Sequence, residues 1–301
     1  MLKKILIANR GEIAVRIVRA CAEMNIRSVA VYTEPDRHAL HVKRADEAYC
    51  VGEDPLAGYL DPRQLVNLAV QTGCDAIHPG YGFLSENSEF ARICESRGVR
   101  FIGPSADVIA RMGDKTAARA SMIEADVPVT PGSDGNLADV DEALQVAEKI
   151  GYPVMLKATS GGGGRGIRRC DSPDDLKKQF SRVISEATKA FGSADVFLEK
   201  CIVDPKHIEV QVLADSQGNV IHLYERDCSI QRRNQKLIEI APSPQLTPEQ
   251  RQYVGELAVR ASKAVGYENA GTVEFLVTGH EIYFMEMNTR VQVEHTISEQ
   301  I

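Results

Sequence analysis

The sequence predicts an α/β protein in which a doubly wound parallel sheet is followed by an α+β region. Residues 1–112 alternate short apolar stretches with amphipathic helical stretches, as in a parallel sheet covered by helices on both faces. From about Gly113 onward, strands paired through short turns indicate antiparallel sheet instead. The length of 301 residues is typical of two compact units.

The strands of the first half are predicted from short apolar stretches at residues 5–8, 29–32, 48–51 and 75–77. Apolar residues recur at helical spacing after Gly11, which predicts the first helix. Further helices are expected to begin near Asp61 and at a cap formed by Ser85.

The first strand is followed by Gly11 and later by Glu34, an arrangement that partly matches a dinucleotide-binding site. That fingerprint uses three glycines, whereas the segment NRGEIA contains one. We therefore expect no Rossmann-type cofactor in this half. His78 begins the loop HPGYGFLSEN and is expected to be a structural histidine.

The helices of the second half have clear start signals. One is expected to begin within MGDKTAARASM, with Lys115 near its N-terminus, where a cation is unfavourable unless an anion lies opposite. Three more are expected to follow caps at Asp139, Ser172 and Thr247.

Strands are predicted in this half at residues 196–198, 207–213, 220–225, 271–277 and 281–287. The strands 207–213 and 220–225 alternate polar and apolar residues and are expected to form an antiparallel hairpin. The last two strands are joined at Gly279.

Residues 157–166 read KATSGGGGRG and contain four consecutive glycines. Glycines have no packing value, so their backbone N–H groups are expected to approach an anion such as phosphate. A flexible linker is the alternative interpretation. Because the segment lacks the GK[ST] ending of a P-loop, and Ile167 and Arg168 suit a strand, we expect a hairpin that closes as a lid.

The composition and the cysteine spacing indicate the environment of the protein and argue against nucleic acid as a partner. A net charge of -7 and a pI of about 5.6 argue against a broad basic surface, so nucleic acid is not an expected partner. The seven cysteines form no close pairs of the zinc or redox type, which indicates reduced thiols in a cytoplasmic protein. The sequence contains no run of about 18 apolar residues, so no membrane span is expected.

Two acidic residues interrupt the last two apolar strands. Glu274 and Glu286 would face one side if these strands pair, with Asn288 on the same face. Two carboxylates and an amide oxygen suit a hard divalent cation such as magnesium. The alternative is that both acids face solvent on a sheet edge.

Arg290, Gln292 and Glu294 follow at a spacing of two, which would place them on one face of an extended strand. The guanidinium and the amide could bind a small oxyanion, and Glu294 could act as a base. A salt-bridged surface strand is the alternative.

Seven segments occur along the chain in this order: ANRGEIA, HPGYGFLSEN, FIGPS, MGDK, KATSGGGGRG, ERDCSIQRRNQK and EMNTRVQVEH. Together they resemble the biotin carboxylases of the ATP-grasp superfamily, over the whole of residues 1–301. The resemblance implies a pre-ATP-grasp domain at 1–112 and an ATP-grasp domain at 113–301, with a glycine-rich lid subdomain at about 131–203. It also implies use of MgATP and bicarbonate to form carboxyphosphate, and then carboxylation of biotin on a carrier protein.

The resemblance implies a role for each matching residue. Those expected to bind the nucleotide are Lys115, Lys157, Gly162, Gly163, Gly164, Glu199, Lys200, Ile202, His207 and Gln231. Those expected to bind two magnesium or manganese ions are Glu274, Glu286 and Asn288. Those expected to position bicarbonate are Arg290, Gln292 and Val293. The catalytic residues are expected to be Glu294 as the base, with Arg290 and Lys236.

The implied partners are a biotin carboxyl carrier protein and a carboxyltransferase subunit, and the family forms homodimers. Asn234 stands where many members have histidine, so a proton-transfer role for that histidine cannot operate here. Family members continue beyond residue 301, so we expect an incomplete C-terminal part. Another ATP-grasp ligase and a fragment that binds nucleotide without complete turnover are the alternative functions.

Overall fold

The structure is a computed structural model that describes residues 2–159, 166–192, 195–233 and 235–301. Within these ranges the chain forms a five-stranded parallel sheet, a three-stranded sheet and a second five-stranded sheet, and the last two are antiparallel. In the same ranges, no helix has the length and apolar character needed to cross a membrane.

The parallel sheet has the strand order β3-β2-β1-β4-β5. Its strands are β1 (Lys4–Ile7), β2 (Arg27–Tyr32), β3 (Glu47–Cys50), β4 (Ala76–His78) and β5 (Arg100–Phe101). Ile5 and Ile7 pack into one core cluster, whereas Leu6 and Ala8 pack into another, because successive side chains point to opposite faces. Both faces are covered, which confirms the predicted doubly wound sheet.

The helices that flank this sheet are α1 (Gly11–Glu23), α2 (Leu40–Arg44), α3 (Pro62–Gln71), α4 (Ser88–Ser96) and α5 (Ala106–Gly113). The helix α3 begins beside Asp61, as predicted, and the Asp61 side chain caps it by accepting from two backbone N–H groups. The predicted cap at Ser85 is wrong. Asn87 caps α4 by accepting from the Phe90 N–H at 2.8 Å, because two hydrogen-bonded turns carry the chain past Ser85 before the helix starts.

The carboxyl ends of β1 and β4 are neighbours, and Asn9 fills the space between them. Its amide donates to the carbonyls of Pro79 (2.7 Å) and Tyr81 (2.8 Å). A Cβ at Gly80 would lie 2.9 Å from this amide nitrogen, so the glycine permits the close approach. Asn9 therefore ties the end of β1 to the loop that follows β4. His78 accepts from the Gly80 N–H at 3.0 Å in the same turn.

The three-stranded sheet has the order β7-β6-β8, with β6 (Val154–Ala158), β7 (Ile167–Cys170) and β8 (Val196–Lys200). The helices α7 (Val140–Ile150) and α8 (Pro173–Phe191) share an apolar core with it. Lys157 pairs with Ile167 across the antiparallel strands β6 and β7. The predicted lid glycines at 161–164 lie outside the described residues.

The second five-stranded sheet has the order β11-β10-β9-β12-β13. Its strands are β9 (Lys206–Ala214), β10 (Val220–Arg232), β11 (Gln235–Ile240), β12 (Asn269–Thr278) and β13 (Glu281–Asn288). The sequence predicted β9, β12 and β13 but ended β10 at residue 225 and missed β11. Polar residues in these stretches masked the strand pattern because β11 is a largely exposed edge and the end of β10 lines a cleft.

The helices α6 (Lys115–Glu124) and α9 (Pro248–Ala264) cover the apolar face of this sheet. Met122 of α6 and Leu257 of α9 belong to the same core cluster as Val210 and Phe275. The other face carries polar side chains. This division leaves one polar face available for binding.

Gly132 touches the backbone of β8, where it forms an isolated bridge with Glu199. A Cβ at this position would lie 2.3 Å from the Leu198 carbonyl oxygen. We expect Gly132→Ala to lower the free energy of unfolding by about 1–3 kcal/mol, since the backbone must move to admit it. Urea denaturation measures the effect, and Gly135→Ala is the control because a Cβ there meets nothing within 4 Å. Equal midpoints for the two variants would contradict the expectation.

Candidate active site

A cleft of about 1190 Å³ is lined by the three-stranded sheet, by the polar face of the second five-stranded sheet and by residues of α6. The described residues that the sequence assigned to a site all line it: Lys115, Lys157, Glu199, Lys200, Ile202, His207, Gln231, Lys236, Glu274, Glu286, Asn288, Arg290, Gln292, Val293 and Glu294. Gly162, Gly163 and Gly164 lie outside the described part of the chain.

Four charged residues lie directly opposite one another on β10, β9, β12 and β13. They are Arg226, Glu209, Glu274 and Glu286, and we call them the charged row. Directly opposed residues of neighbouring strands share a face, so the four side chains lie side by side on the polar face. Arg226 and Glu209 are fully buried, Glu274 is 3% exposed, and Glu286 is exposed to the cleft.

The outer end of the charged row forms a carboxylate pair. The Glu286 side chain opens into the cleft, where the surrounding protein walls reduce its solvation. This reduced solvation and the neighbouring Glu274 charge raise the pKa of Glu286, although Lys115 opposes the shift. Asn288 lies beside the pair and its amide donates to Glu274 Oε1 at 2.8 Å. Two adjacent carboxylates that repel each other fit a hard divalent cation, since its charge would relieve the repulsion. The Asn288 oxygen is turned away from the pair and accepts from Arg290 at 3.0 Å.

Lys236 connects three carboxylates at the centre of the site. Its ammonium group donates to Glu209, to Glu274 at 3.0 Å and to Glu294 at 2.8 Å. Burial disfavours the ammonium charge, but Glu274 and Glu209 outweigh burial and raise the pKa of Lys236. Burial also disfavours the Glu294 carboxylate, but the Lys236 ammonium lowers the pKa of Glu294 below its ordinary value. Lys236 and Glu294 are therefore held as an ion pair.

The predicted extended strand over residues 290–294 is wrong. This segment follows β13 irregularly and leads into α10 (His295–Ser298), a single turn of helix. Side-chain contacts replace sheet pairing here: Gln292 accepts from Arg226 at 2.8 Å and donates to Glu274 at 3.2 Å. Gln292 and Glu294 nevertheless reach the same cleft.

Arg290 joins the cleft to the N-terminal sheet region. Its Nε donates to Glu86 Oε2 at 3.0 Å and its terminal nitrogen donates to Asn288 Oδ1 at 3.0 Å. Glu86 belongs to the loop between β4 and α4, and it also accepts from the Thr289 N–H at 3.3 Å. The loop HPGYGFLSEN thus supplies a carboxylate next to the cleft.

His207 bridges Glu274 and Gln231. The ring nitrogens lie 2.7 Å from Glu274 Oε2 and 2.8 Å from Gln231 Nε2. Since the Gln231 amide nitrogen can only donate, Nδ1 accepts and Nε2 carries the proton towards Glu274. Burial opposes the imidazolium, but Glu274 outweighs it and raises the pKa of His207.

On the three-stranded sheet, Lys157 is bound to the Glu199 carboxylate. The other Glu199 oxygen lies 3.9 Å from Arg119, which is one helical turn after Lys115 on α6. The Lys200 ammonium group donates to the carbonyls of residues 151 and 152, at 2.9 and 3.0 Å. The Lys200 ammonium group is therefore hydrogen-bonded within the protein, and the residue also lines the cleft.

Sequence reasoning missed Arg119, Glu209 and Arg226. Two of them carried a usable signal: Arg119 is four residues after Lys115 and so shares its helix face, and Glu209 is two residues after His207 and so shares its strand face. Arg226 had none, because the predicted β10 ended at residue 225.

Two family profiles match nearly the whole chain. Residues 1–109 match the biotin carboxylase, N-terminal domain, family. Residues 114–301 match the family described as carbamoyl-phosphate synthase L chain, ATP binding domain.

Curated relatives are similar over the full chain. The 2-oxoglutarate carboxylase small subunit of Hydrogenobacter thermophilus is 58% identical over 302 residues, which cover 100% of this chain and 64% of that protein. The biotin carboxylase of Halalkalibacterium halodurans is 56% identical over 303 residues, which cover 100% and 67%. The chain thus spans about two thirds of the length of these relatives.

Solved structures share the fold. A biotin carboxylase complex from Campylobacter jejuni has a TM-score of 0.96 and 50% identity, covering 100% of this chain and 68% of that one. The biotin carboxylase domain dimer of H. thermophilus 2-oxoglutarate carboxylase, with MgADP, ADP and bicarbonate, has a TM-score of 0.94, 58% identity and coverage of 100% and 67%. The profiles, the relatives and the fold agree with the resemblance carried by the motifs. The chain belongs to the biotin carboxylase family.

Proposed function

We propose that this chain carries the ATP-dependent carboxylation of biotin, in which bicarbonate is activated as carboxyphosphate. The proposal is supported by two features that lie in the same cleft. A carboxylate pair suited to magnesium, Glu274 and Glu286, lies beside an ion-paired acid, Glu294, and the guanidinium of Arg290. Phosphoryl transfer to a small oxyanion needs such cation binding and positioning.

In this proposal the three-stranded sheet and α6 hold ATP. Lys115 and Lys157 would contact its phosphates, and the lid glycines would close over them. Glu199, Lys200 and Ile202 would border the adenine, beside His207 and Gln231. Glu274, Glu286 and Asn288 would hold two magnesium or manganese ions, which would neutralise phosphate charge when bound.

Bicarbonate would lie against Arg290, Gln292 and Val293. Glu294 would accept the bicarbonate proton, and the deprotonated oxygen would then attack the γ-phosphorus while the bond to the ADP oxygen breaks. The products are carboxyphosphate and ADP. Lys236 lies 2.8 Å from Glu294, so its charge keeps the base ionised before the step.

We propose a biotin carboxyl carrier protein and a carboxyltransferase subunit as partners, since carboxylated biotin must be consumed by a second reaction. A homodimer is the proposed assembly, supported by the dimer named for the H. thermophilus domain. The cytoplasm is the proposed location. We also propose domain limits of 1–112 and 113–301, with the lid subdomain at about 131–203.

The test is ATP cleavage that depends on bicarbonate and is stimulated by free biotin. The match of residues 114–301 to the carbamoyl-phosphate synthase family supports a second candidate, an ATP-grasp ligase that passes the activated carboxyl group to an amine. Stimulation by ammonia or an amine in place of biotin would favour this candidate. Nucleotide binding without bicarbonate-dependent cleavage would contradict both.

Lys236→Gln is expected to move the acidic limb of the kcat/KM profile to higher pH. The Lys236 ammonium lowers the pKa of Glu294, so the wild-type base stays ionised at a pH where an ordinary glutamate is protonated. Without the cation, burial raises the Glu294 pKa and the base is lost earlier as pH falls. Rates of bicarbonate-dependent ATP cleavage at several pH values, each referred to the concentration of the bicarbonate ion at that pH, measure the shift. An acidic limb at the same pH in both proteins would contradict this account.

A further inference from the structure

Arg226 is a fully buried arginine whose five N–H donors all have acceptors. Nε donates to Glu209 at 2.6 Å, and the other four donors reach Gln211, Thr272, Gln292 and Ser298 at 2.8–3.2 Å. A guanidinium is planar and cannot lose its charge, so this arrangement fixes the relative positions of its partners.

The contact with Gln292 determines which way that amide points. Arginine has no acceptor, so Gln292 must turn its carbonyl oxygen towards Arg226, at 2.8 Å. The Gln292 amide nitrogen then faces Glu274, at 3.2 Å. Arg226 therefore selects the Gln292 orientation that presents N–H donors, the kind of group an oxyanion needs.

The contact with Glu209 acts on the proposed base. Glu209 places one carboxylate oxygen on Arg226 and the other on Lys236. Lys236 in turn contacts Glu294. Because Glu209 is fully buried, its two oxygens depend on partners within the protein, and Arg226 fixes the carboxylate in the position from which it contacts Lys236.

The contact with Ser298 holds the far side of the same segment. Ser298 lies on α10 and its hydroxyl accepts from Arg226 at 2.9 Å. Gln292 precedes Glu294 and Ser298 follows it, so Arg226 fixes the chain on both sides of the proposed base.

We propose that Arg226 is a positioning residue that holds residues 290–298 in the conformation that binds bicarbonate. The proposal rests on the proposed function, because it concerns the same oxyanion site. Arg226 does not line the cleft, so it acts through Gln292 and Glu294.

The test compares Arg226→Lys with the control Arg251→Lys. Lysine keeps a charge beside Glu209 but has no planar fork to reach Gln292 and Ser298. Arg251 also pairs with a buried carboxylate on β10, Glu225 at 2.7 Å, but away from the cleft. In Arg226→Lys we expect the KM for bicarbonate to rise at least about tenfold, while the KM for MgATP changes by less than about threefold. In Arg251→Lys we expect both constants to match wild type. An unchanged bicarbonate KM, or an equal rise in both constants, would overturn the proposal.

Hydrogen exchange gives a readout that needs no turnover. Backbone amides of residues 291–299 should exchange at least about tenfold faster in Arg226→Lys than in wild type or the control. Ser298→Ala removes one partner of Arg226 at a half-buried position and leaves the sheet intact. It should accelerate exchange of the backbone amides of residues 295–299, and it replaces Arg226→Lys in this test if that variant does not fold. Unchanged exchange in these variants would overturn the positioning role. Absence of bicarbonate-dependent cleavage in wild type would instead overturn the proposed function, and exchange would still decide the role of Arg226.

Discussion

Replacing Glu286 by glutamine is expected to abolish magnesium-dependent ATP binding while leaving the fold intact. Glu286 lies directly opposite Glu274 on the neighbouring strand, so the variant removes one of two adjacent carboxylates. The loss should exceed about 100-fold in MgATP affinity, because even indirect partners of a metal ligand contribute 10–100-fold. The fold should survive because Glu286 is exposed to the cleft, and an amide there ends its repulsion with Glu274.

Titration calorimetry with a non-hydrolysable ATP analogue, in the presence and absence of magnesium, measures the effect. The matched control is Glu281→Gln, which removes an exposed carboxylate from the start of the same strand outside the cleft. Binding without magnesium should be similar in all three proteins. Equal affinity of wild type and Glu286→Gln for the magnesium complex would refute the metal assignment.

Local signals predicted much of the fold. Ser172 and Thr247 cap helices because a cap depends on residues within one turn, and the pairing of Glu274 with Glu286 follows from two strands joined by a short turn. For the same reason the acidic pair was predictable without any knowledge of the rest of the sheet.

The remaining contacts depend on strand order and on distant segments. Glu209 meets Glu274 only because β9 inserts between β10 and β12, which no local pattern in the sequence specifies. Glu86 meets Arg290 across a separation of 204 residues. Arg226 was hidden because the polar residues around it in the sequence resemble a loop when the face they occupy is unknown. The sequence therefore predicted residues that meet in one cleft, and it did not predict the contacts that support them.

Glu294→Gln is expected to reduce kcat for bicarbonate-dependent ATP cleavage by about 10²–10⁴-fold, the usual contribution of a general base. The amide keeps the size of the side chain and an oxygen that can accept from Lys236, but it cannot take the bicarbonate proton. MgATP affinity should stay near the wild-type value, because the carboxylate pair on β12 and β13 is unchanged. Steady-state rates and calorimetry on the same samples separate these two quantities.

Glu299→Gln is the matched control, since Glu299 lies just after α10 on the surface, where it contacts His295 at 2.7 Å and Arg16 at 3.3 Å. It should retain wild-type rates. The residual activity of Glu294→Gln should also lose the acidic limb of its pH profile, because the group whose protonation sets that limb is gone. A full loss of activity with weakened nucleotide binding would show a structural role, and a retained acidic limb would place the base on another residue. Only the loss of kcat together with the loss of the limb identifies Glu294 as the proton acceptor, with its ionisation maintained by Lys236.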